Sequence, residues 1–474
     1  MTFQSLSFLA FLAVTVTACL ALGRRSPQAG RLLLMLACLV FYIVGAGWNG
    51  FLVLAVGMVV TAAALQWLCG ESERTRRRAL VLGCCYHIAV LAAFKYTAFF
   101  TGGKWAVGWA PLGLSFFTFQ QLWLLKEAYT RQYQPAQGDD LTLYAFFFPT
   151  VASGPILRPG AFFPQLRGEN FLRPNWTDIS AGLYAICCGM AKKTLLADPL
   201  GVAVGNGWAD PAALSAPAAW LVMLAYTLQL YLDFSGYCDV AAGAARLLGI
   251  RLPVNFDSPY QALSVGEFWK RWHITLTTFL RECLYIPLGG SKRGTARTYM
   301  HILIVFLVSG LWHGAGWTFL VWGALHALAQ IVERAWGKGR EQLPKALRWL
   351  LTFGFVNIAW VFFRAPSLTA AGQLLSAAVS GGWSLSVGFL AAGVLDSETT
   401  ALTALLPSLS GAVPGILLAA LLTAALVVSL RPGNTIRRME VFRPTLWRGL
   451  VLAVLMAWCV LSFSGISTFI YSNF

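Results

Sequence analysis

Stretches of about 20 consecutive apolar residues recur from one end of this chain to the other, each long enough to cross a hydrocarbon core of roughly 30 Å as a helix. That recurrence leaves few folds open. Lipid offers backbone N–H and C=O groups no hydrogen-bond partner, and the stretches are too long and too little alternating for barrel strands, so helices remain. Composition closes the soluble alternative: of 474 residues, 58% are hydrophobic and 11% charged, against about a quarter charged in an ordinary soluble domain. The expected fold is an all-α integral membrane protein.

Candidate helices run over 3–22, 31–48, 50–69, 79–100, 110–128, 141–157, 178–206, 217–235, 298–316, 319–336, 346–364, 372–395, 411–430 and 446–466. About eleven are expected to cross the bilayer. The segments from Pro111 to Tyr129 and from Tyr144 to Ile156 carry Gly and Pro within or at their edges, the composition of broken or re-entrant helices that line a cavity. No repeat of fixed period occurs, so residues 1–474 read as one integral domain.

A formal net charge of +16 raises the question of nucleic acid. The cations sit instead in short clusters between apolar segments, which is a positive-inside topology signal and gives no nucleic-acid face. Arg24, Arg25 and Arg31, then Arg74, Arg76, Arg77 and Arg78, and near the other end Arg437, Arg438, Arg443 and Arg448, are expected in the cytoplasm. The N-terminus is then extracytoplasmic. The first apolar segment lacks a charged leader or small-residue cleavage site and reads as a retained helix. The ten cysteines form no CxxC pair and lie mostly in apolar runs, as small core hydrophobes do; Cys283, beside Arg281 and Glu282, stands apart. No HExxH or Cys/His spacing of a metal site is present.

Polar groups that a lipid-facing helix would exclude concentrate between Trp220 and Trp336. Asp233, Ser235, Tyr237 and Asp239 fall at or just beyond the end of a strongly apolar helix, where carboxylates need a cavity or a partner. They admit two readings, helix caps before Val240–Leu248 or groups touching substrate. Downstream, Phe268, Trp272, Leu276, Phe279 and Cys283 share one helical face and Lys270, Thr277 and Arg281 the other, the pattern of an amphipathic helix at an interface, with Trp269 and Trp272 at headgroup depth. His273 sits at the boundary of the two faces, where a structural and a functional role are both open. Lys292, Arg293 and Arg297 then mark a cytoplasmic turn, and Lys95, near the far end of its helix, is expected to snorkel to the outer interface.

The sharpest site is Ser309-Gly-Leu-Trp-His-Gly-Ala-Gly-Trp-Thr-Phe319. Counted from Arg297 at about 1.5 Å per residue, His313 lies roughly 24 Å from the cytoplasmic edge. Intramembrane ionisable residues are expensive, and that cost favours function over incidental packing. Gly310 and Gly314 leave room for a helix or ligand to approach closely. His326, on the next helix, is a structural or supporting residue, while His87 and His301 read as packed or interfacial.

These residues resemble the membrane-bound O-acyltransferase signature: Trp312-His313-Gly314 in an apolar helix, and His273 in a Trp-Lys-Arg-Trp-His context. Pro111 to Gln120, Ser153-Gly-Pro-Ile156, Tyr231 to Asp239, Pro253-Val-Asn-Phe256, Tyr285 to Gly290 and the terminal Phe469 to Phe474 resemble the bacterial alginate O-acetylation branch, most densely over about 111–336. Two pairs depart from the pattern: Glu282-Cys283 stands where an Asp-aromatic pair is usual, and Lys126-Glu127 where an apolar-Asp pair is usual. The resemblance implies helices around a central tunnel and transfer of an acyl group, commonly acetyl, across the bacterial cytoplasmic membrane. The donor would be a cytoplasmic thioester, acetyl-CoA or an acyl carrier protein, used as co-substrate. The acceptor would be a hydroxyl of an extracytoplasmic polysaccharide or cell-wall polymer, with a separate extracytoplasmic acyltransferase as the expected partner and membrane lipid as the surroundings. A related branch that D-alanylates teichoic acids shares both histidines, and the Leu288-Gly-Gly290 ending fits the alginate-type branch better.

His313 and His273 are then the expected catalytic residues. An unassisted alcohol is a poor nucleophile, and a positioned base supplies roughly 10²–10⁴-fold. Trp312, Trp317, Asp233, Tyr237, Asp239, Trp269 and Arg281 are the expected substrate contacts, with the Trp312 or Trp317 indole N–H or backbone N–H groups near Gly314 as oxyanion donors. A lipid or polysaccharide transporter, or a scaffold of an export complex, is the competing reading; the repeated halves usual in a transporter are absent from the sequence, and a scaffold would need neither histidine.

Overall fold

A computed structural model describes residues 3–105, 107–132, 138–384 and 388–463, so the terminal Phe469–Phe474 string lies outside the described residues. Every regular element described is helical. Six helices are long and apolar enough to cross a membrane: Leu6–Arg25, Pro27–Leu68, Glu73–Lys95, Thr295–His313, Lys345–Arg364 and Val413–Leu430, with Leu368–Ser380 and Leu446–Leu461 as shorter apolar helices. Their outward faces carry bare apolar side chains, Val14, Val59, Ile88 and Val427 among them. Such a surface is tolerable only against lipid.

The expected pair 31–48 and 50–69 forms one element, Pro27–Leu68, interrupted at Gly47, whose φ of 72° breaks the helical geometry. At about 1.5 Å per residue an unbroken helix of that length would be roughly twice a bilayer, so the interruption divides it into two membrane-length halves. Leu114–Tyr129 and Gly138–Phe146 are short, and the second runs straight into turns, as their Gly and Pro suggested. The expected 372–395 helix stops at Ser380, before Gly381 and Gly382.

Two large apolar clusters build the interior, and the Ala216–Leu247 helix contributes to both. The sequence placed its end near Asp233; the helix instead continues through Asp239, so these residues are not caps. Its carboxylates are tolerated mid-helix because the neighbouring π-helical turn Lys192–Ala197 supplies cations. Lys193 meets Asp233 and Lys192 meets Asp239, each at 2.6 Å, with all four side chains largely buried. Pairing removes most of the desolvation cost that would otherwise eject a carboxylate from this environment. Close backbone contact between the helices is possible because Gly189 and Gly236 face one another, each filling the place where a Cβ would strike the other's carbonyl.

The expected amphipathic interfacial helix is also revised. It is two short helices, Val265–Arg271 and Ile274–Leu280, joined at His273, whose backbone is left-handed at φ 44° and ψ 54°. Phe268, Trp269, Trp272, His273, Leu276 and Phe279 are buried among other elements of the protein and present no apolar face to lipid. The aromatic face that suggested a membrane surface is satisfied by protein: Trp272 packs on Phe268, Phe256 and Trp360.

Candidate active site

His313 is the last residue of the Thr295–His313 helix and is almost wholly buried. A helix C-terminus leaves carbonyl oxygens without intrahelical donors, and here two residues from the end of the Glu73–Lys95 helix supply them. Tyr96 Oη donates to Leu311 O at 2.8 Å, and Lys95 Nζ donates to Trp312 O, to His313 O at 3.2 Å and to Ser115 Oγ at 3.4 Å. Lys95 therefore does not snorkel outward. It turns inward because three oxygens await a cation there, and a charged donor at a helix C-terminus is favoured by the helix dipole as well.

The returning Trp317–Trp336 helix packs tightly on the His313 helix. A Cβ at Gly310 would strike the Phe319 carbonyl, and one at Gly323 would strike that of Phe306, so glycine at both positions fixes the distance between the two helices. The His313 imidazole then sits edge-on to three aromatic rings, Trp312 at 4.9 Å, Phe363 at 5.0 Å and Trp322 at 5.1 Å between centroids.

Trp312 is shared by both candidate catalytic residues. Its ring lies 5.9 Å from that of His273 and 5.1 Å from Phe116, which in turn stacks on His273 at 6.3 Å. His273 is placed by its own segment: Ile274 N–H donates to Asn255 O at 2.9 Å, and Thr275 donates through both N–H and Oγ1 to Asn255 Oδ1. Burial away from water pushes the His273 imidazole down to about 3, so it is neutral at physiological pH. His326, wholly buried, accepts from Trp269 Nε1 at 3.2 Å and touches Trp322 at 5.0 Å, so it supports the wall behind His313.

Two cavities flank this aromatic layer. One, of about 240 Å³, is lined by Trp269, Leu276, Phe306 and Ser309, with Arg281 and Arg334 adding cations. The other, of about 730 Å³, is lined by Lys95, Ser115, Phe116, Gly314 and Phe319. Ser309, in the lining of the smaller cavity, is one helical turn before His313, and Gly314, in the lining of the larger, is the residue after it, so both cavities open close to the segment that carries the imidazole.

Of the expected substrate contacts, the structure gathers Trp312, Trp269 and Arg281 around the histidines and the smaller cavity. The Trp312 indole N–H is engaged with Ser115 O at 3.3 Å. Trp317 is largely exposed beside Phe99 at 5.6 Å and does not join the layer. Asp233 and Asp239 are held by Lys193 and Lys192, and Tyr237 stacks on Phe3 at 4.4 Å. Lys95, Phe116, Trp322 and Phe363 were missed in the sequence. For Lys95 a signal existed, since a lysine at the end of an otherwise apolar helix must find either water or carbonyls. Phe116 lay within the Pro111–Gln120 string but was not distinguished from its neighbours, and Trp322 and Phe363 had no signal, being aromatic residues among many.

Residues 139–370 match the model of the membrane-bound O-acyltransferase family. The chain is 38% identical to a peptidoglycan O-acetyltransferase of Helicobacter pylori over 397 residues, 75% of each chain. It is 36% identical to the probable alginate O-acetylase of Pseudomonas aeruginosa over 383 residues, 75% of this chain and 71% of the relative. A teichoic acid D-alanyltransferase of Bacillus subtilis is 26% identical over 280 residues, 53% of this chain and 68% of the relative. At that identity and coverage, with the histidine-bearing helix inside the matched region, the chain belongs to the membrane-bound O-acyltransferase family and is an acyltransferase.

Proposed function

We propose that the protein moves an acetyl group from a thioester donor, acetyl-CoA or an acyl carrier protein, to a hydroxyl of an extracytoplasmic polysaccharide or cell-wall polymer, directly or through a partner acyltransferase outside the membrane. The observation that carries this reading is the burial of His313 in the family-matched region, with His273 against the same Trp312 ring. His313 takes the proton of the acceptor hydroxyl as its oxygen attacks the thioester carbonyl carbon. Collapse of the tetrahedral intermediate breaks the C–S bond, and the proton passes to the departing sulfur, leaving an ester and a thiol. His273, across the Trp312 ring, positions the donor or shares the proton transfer. Arg281 and Arg334 suit the phosphate groups that both donors carry.

Sidedness has support in the helix ends. The Glu73–Lys95 and Thr295–His313 helices each begin beside a basic cluster, Arg74–Arg78 and Lys292–Arg297, and meet at their C-terminal ends through Lys95 and Tyr96. Two membrane-length helices joined at one end start on the same side, and the positive-inside rule makes that side cytoplasmic. The acetyl relatives favour acetyl over D-alanyl transfer. The test uses sealed, oriented vesicles containing the full chain and a labelled, impermeant thioester. Transfer is expected with donor on the face bearing the basic clusters, and none with His313→Ala. Efficient use of donor from the other face would overturn the route.

A further inference from the structure

Away from the histidines, a cavity of about 530 Å³ opens beside the Val413–Leu430 helix. Along that helix Leu417, Ala420, Leu421, Ala424 and Val428 line it at spacings of one turn, so the lined length is about 16 Å. The opposite wall is also mostly apolar, with Leu195, Leu196, Leu455 and Trp458. The stripe ends at Arg431, and Arg438 follows in the short Thr435–Glu440 helix, both lining the same cavity together with the hydrogen-bonding side chains of Asn434 and Thr435.

The charge at this end is cationic and not neutralised. Lys192, which also lines the cavity, is matched by Asp239 at 2.6 Å. Arg431 and Arg438 form no ion pair among the described residues; Arg438 donates only to the carbonyl of Pro432 at 2.9 Å. Glu398, the one carboxylate in the lining, forms no ion pair with either arginine among the described residues. The turn that carries them is fixed in advance: Asn434 Nδ2 donates to Phe256 O at 2.6 Å, Ser258 Oγ to Arg431 O at 3.0 Å and Gln261 Nε2 to Leu430 O at 2.5 Å. A preorganised turn lowers the ordering cost of binding.

An apolar slot of acyl-chain length on a lipid-bathed surface, ending in two unmatched guanidinium groups, matches one occupant in both halves of its chemistry. We infer that this slot binds an anionic phospholipid, with an acyl chain along the 417–428 stripe and the phosphate against Arg431 and Arg438. Both arginines are outside the acyl-transfer site, so the binding stands or falls independently of the donor and acceptor proposed above.

Native mass spectrometry of the detergent-purified full chain, titrated with phosphatidylglycerol or phosphatidylcholine of identical acyl chains, tests it. Phosphatidylglycerol is expected to be retained in preference. The double variant Arg431→Gln, Arg438→Gln should lower its retention about 30-fold, the equivalent of about 1 kcal/mol for each cation. Ala424→Trp, at an exposed position that faces the slot, should lower retention of both lipids. Circular dichroism confirms that each variant is folded before it is scored. Equal retention of the two lipids by the parent, undiminished phosphatidylglycerol binding by the folded double variant, or displacement by inorganic phosphate alone at equal concentration would overturn the inference. So would competitive displacement by an acyl thioester, which would make the slot a donor site.

Discussion

The Lys95 ammonium donates to the backbone carbonyl of His313 at 3.2 Å, binding the end of one membrane-length helix to the end of another at the residue proposed as base. The same ammonium holds Trp312 O and Ser115 Oγ, so one side chain ties together the helix end, the shared aromatic ring and the wall of the larger cavity.

Lys95→Met should therefore loosen the His313 helix end without touching its imidazole. A hydrogen bond to a charged group is worth about 1.5–3 kcal/mol, and a loss of that size predicts a lower melting temperature. The accompanying misplacement of the base should reduce the transfer rate by tenfold or more. Melting and single-turnover rates of the purified variant check both, and an unchanged rate would show that the cap does not position the histidine.

The two histidines are separable by substitution. His313→Ala should lower transfer by at least about 10²-fold, the usual worth of a positioned base, while membrane abundance stays near parental. At His273 the backbone is left-handed, a conformation Asn tolerates and Ala does not favour. His273→Asn keeps the turn and removes the imidazole, so a rate loss in this variant reports the ring and not the break between the two short helices. The loss should not exceed that of His313→Ala; a fully active His273→Asn would leave His273 a structural residue.

Gly310 was legible in the sequence as a place of close approach, and the structure supplies its partner, the Phe319 carbonyl. Gly310→Val must push the two helices apart. Overpacking of this kind costs about 1–3 kcal/mol, so abundance and melting temperature should fall together. Gly354, on a helix face where an added Cβ meets nothing, should accept Ala with no such loss.

What the sequence disclosed and what it withheld divide along physical lines. Apolar length and buried-histidine depth depend on residues near one another in the chain, so the helices, the broken segment at Pro111 and the His313 helix could be read directly. Pairings between distant segments could not. Asp233 and Asp239 looked like helix ends because their partners, Lys193 and Lys192, lie on another helix. The 267–281 stretch looked amphipathic because its buried side packs against protein that the sequence does not identify. Lys95 illustrates both: its need for oxygens was visible, but the choice between water and the His313 helix end was a matter of tertiary position.

The two departures from the family pattern, Lys126-Glu127 and Glu282-Cys283, meet in space. Lys126 Nζ lies 3.6 Å from Glu282 Oε2, and Arg158 joins Glu282 at 3.4 Å to Glu127 at 2.5 Å. The members of this cluster are unequal. Glu127 is buried, and its second oxygen also accepts the Gly160 N–H at 2.9 Å, so Glu127→Ala strands a backbone donor, while the half-exposed Arg158 guanidinium keeps water and Glu282. Losing a buried carboxylate that holds hydrogen bonds of this kind costs about 1.5–3 kcal/mol. Glu282 is partly exposed, and both of its contacts exceed ordinary charged hydrogen-bond length, so Glu282→Ala should cost no more than about 1 kcal/mol, as surface pairs do. Melting temperatures of the two variants should therefore differ sharply, with Glu127→Ala the lower. Comparable losses would mean that the four charges act as one unit, and a double-mutant cycle between Lys126 and Glu282 would then show a coupling larger than an isolated exposed pair provides.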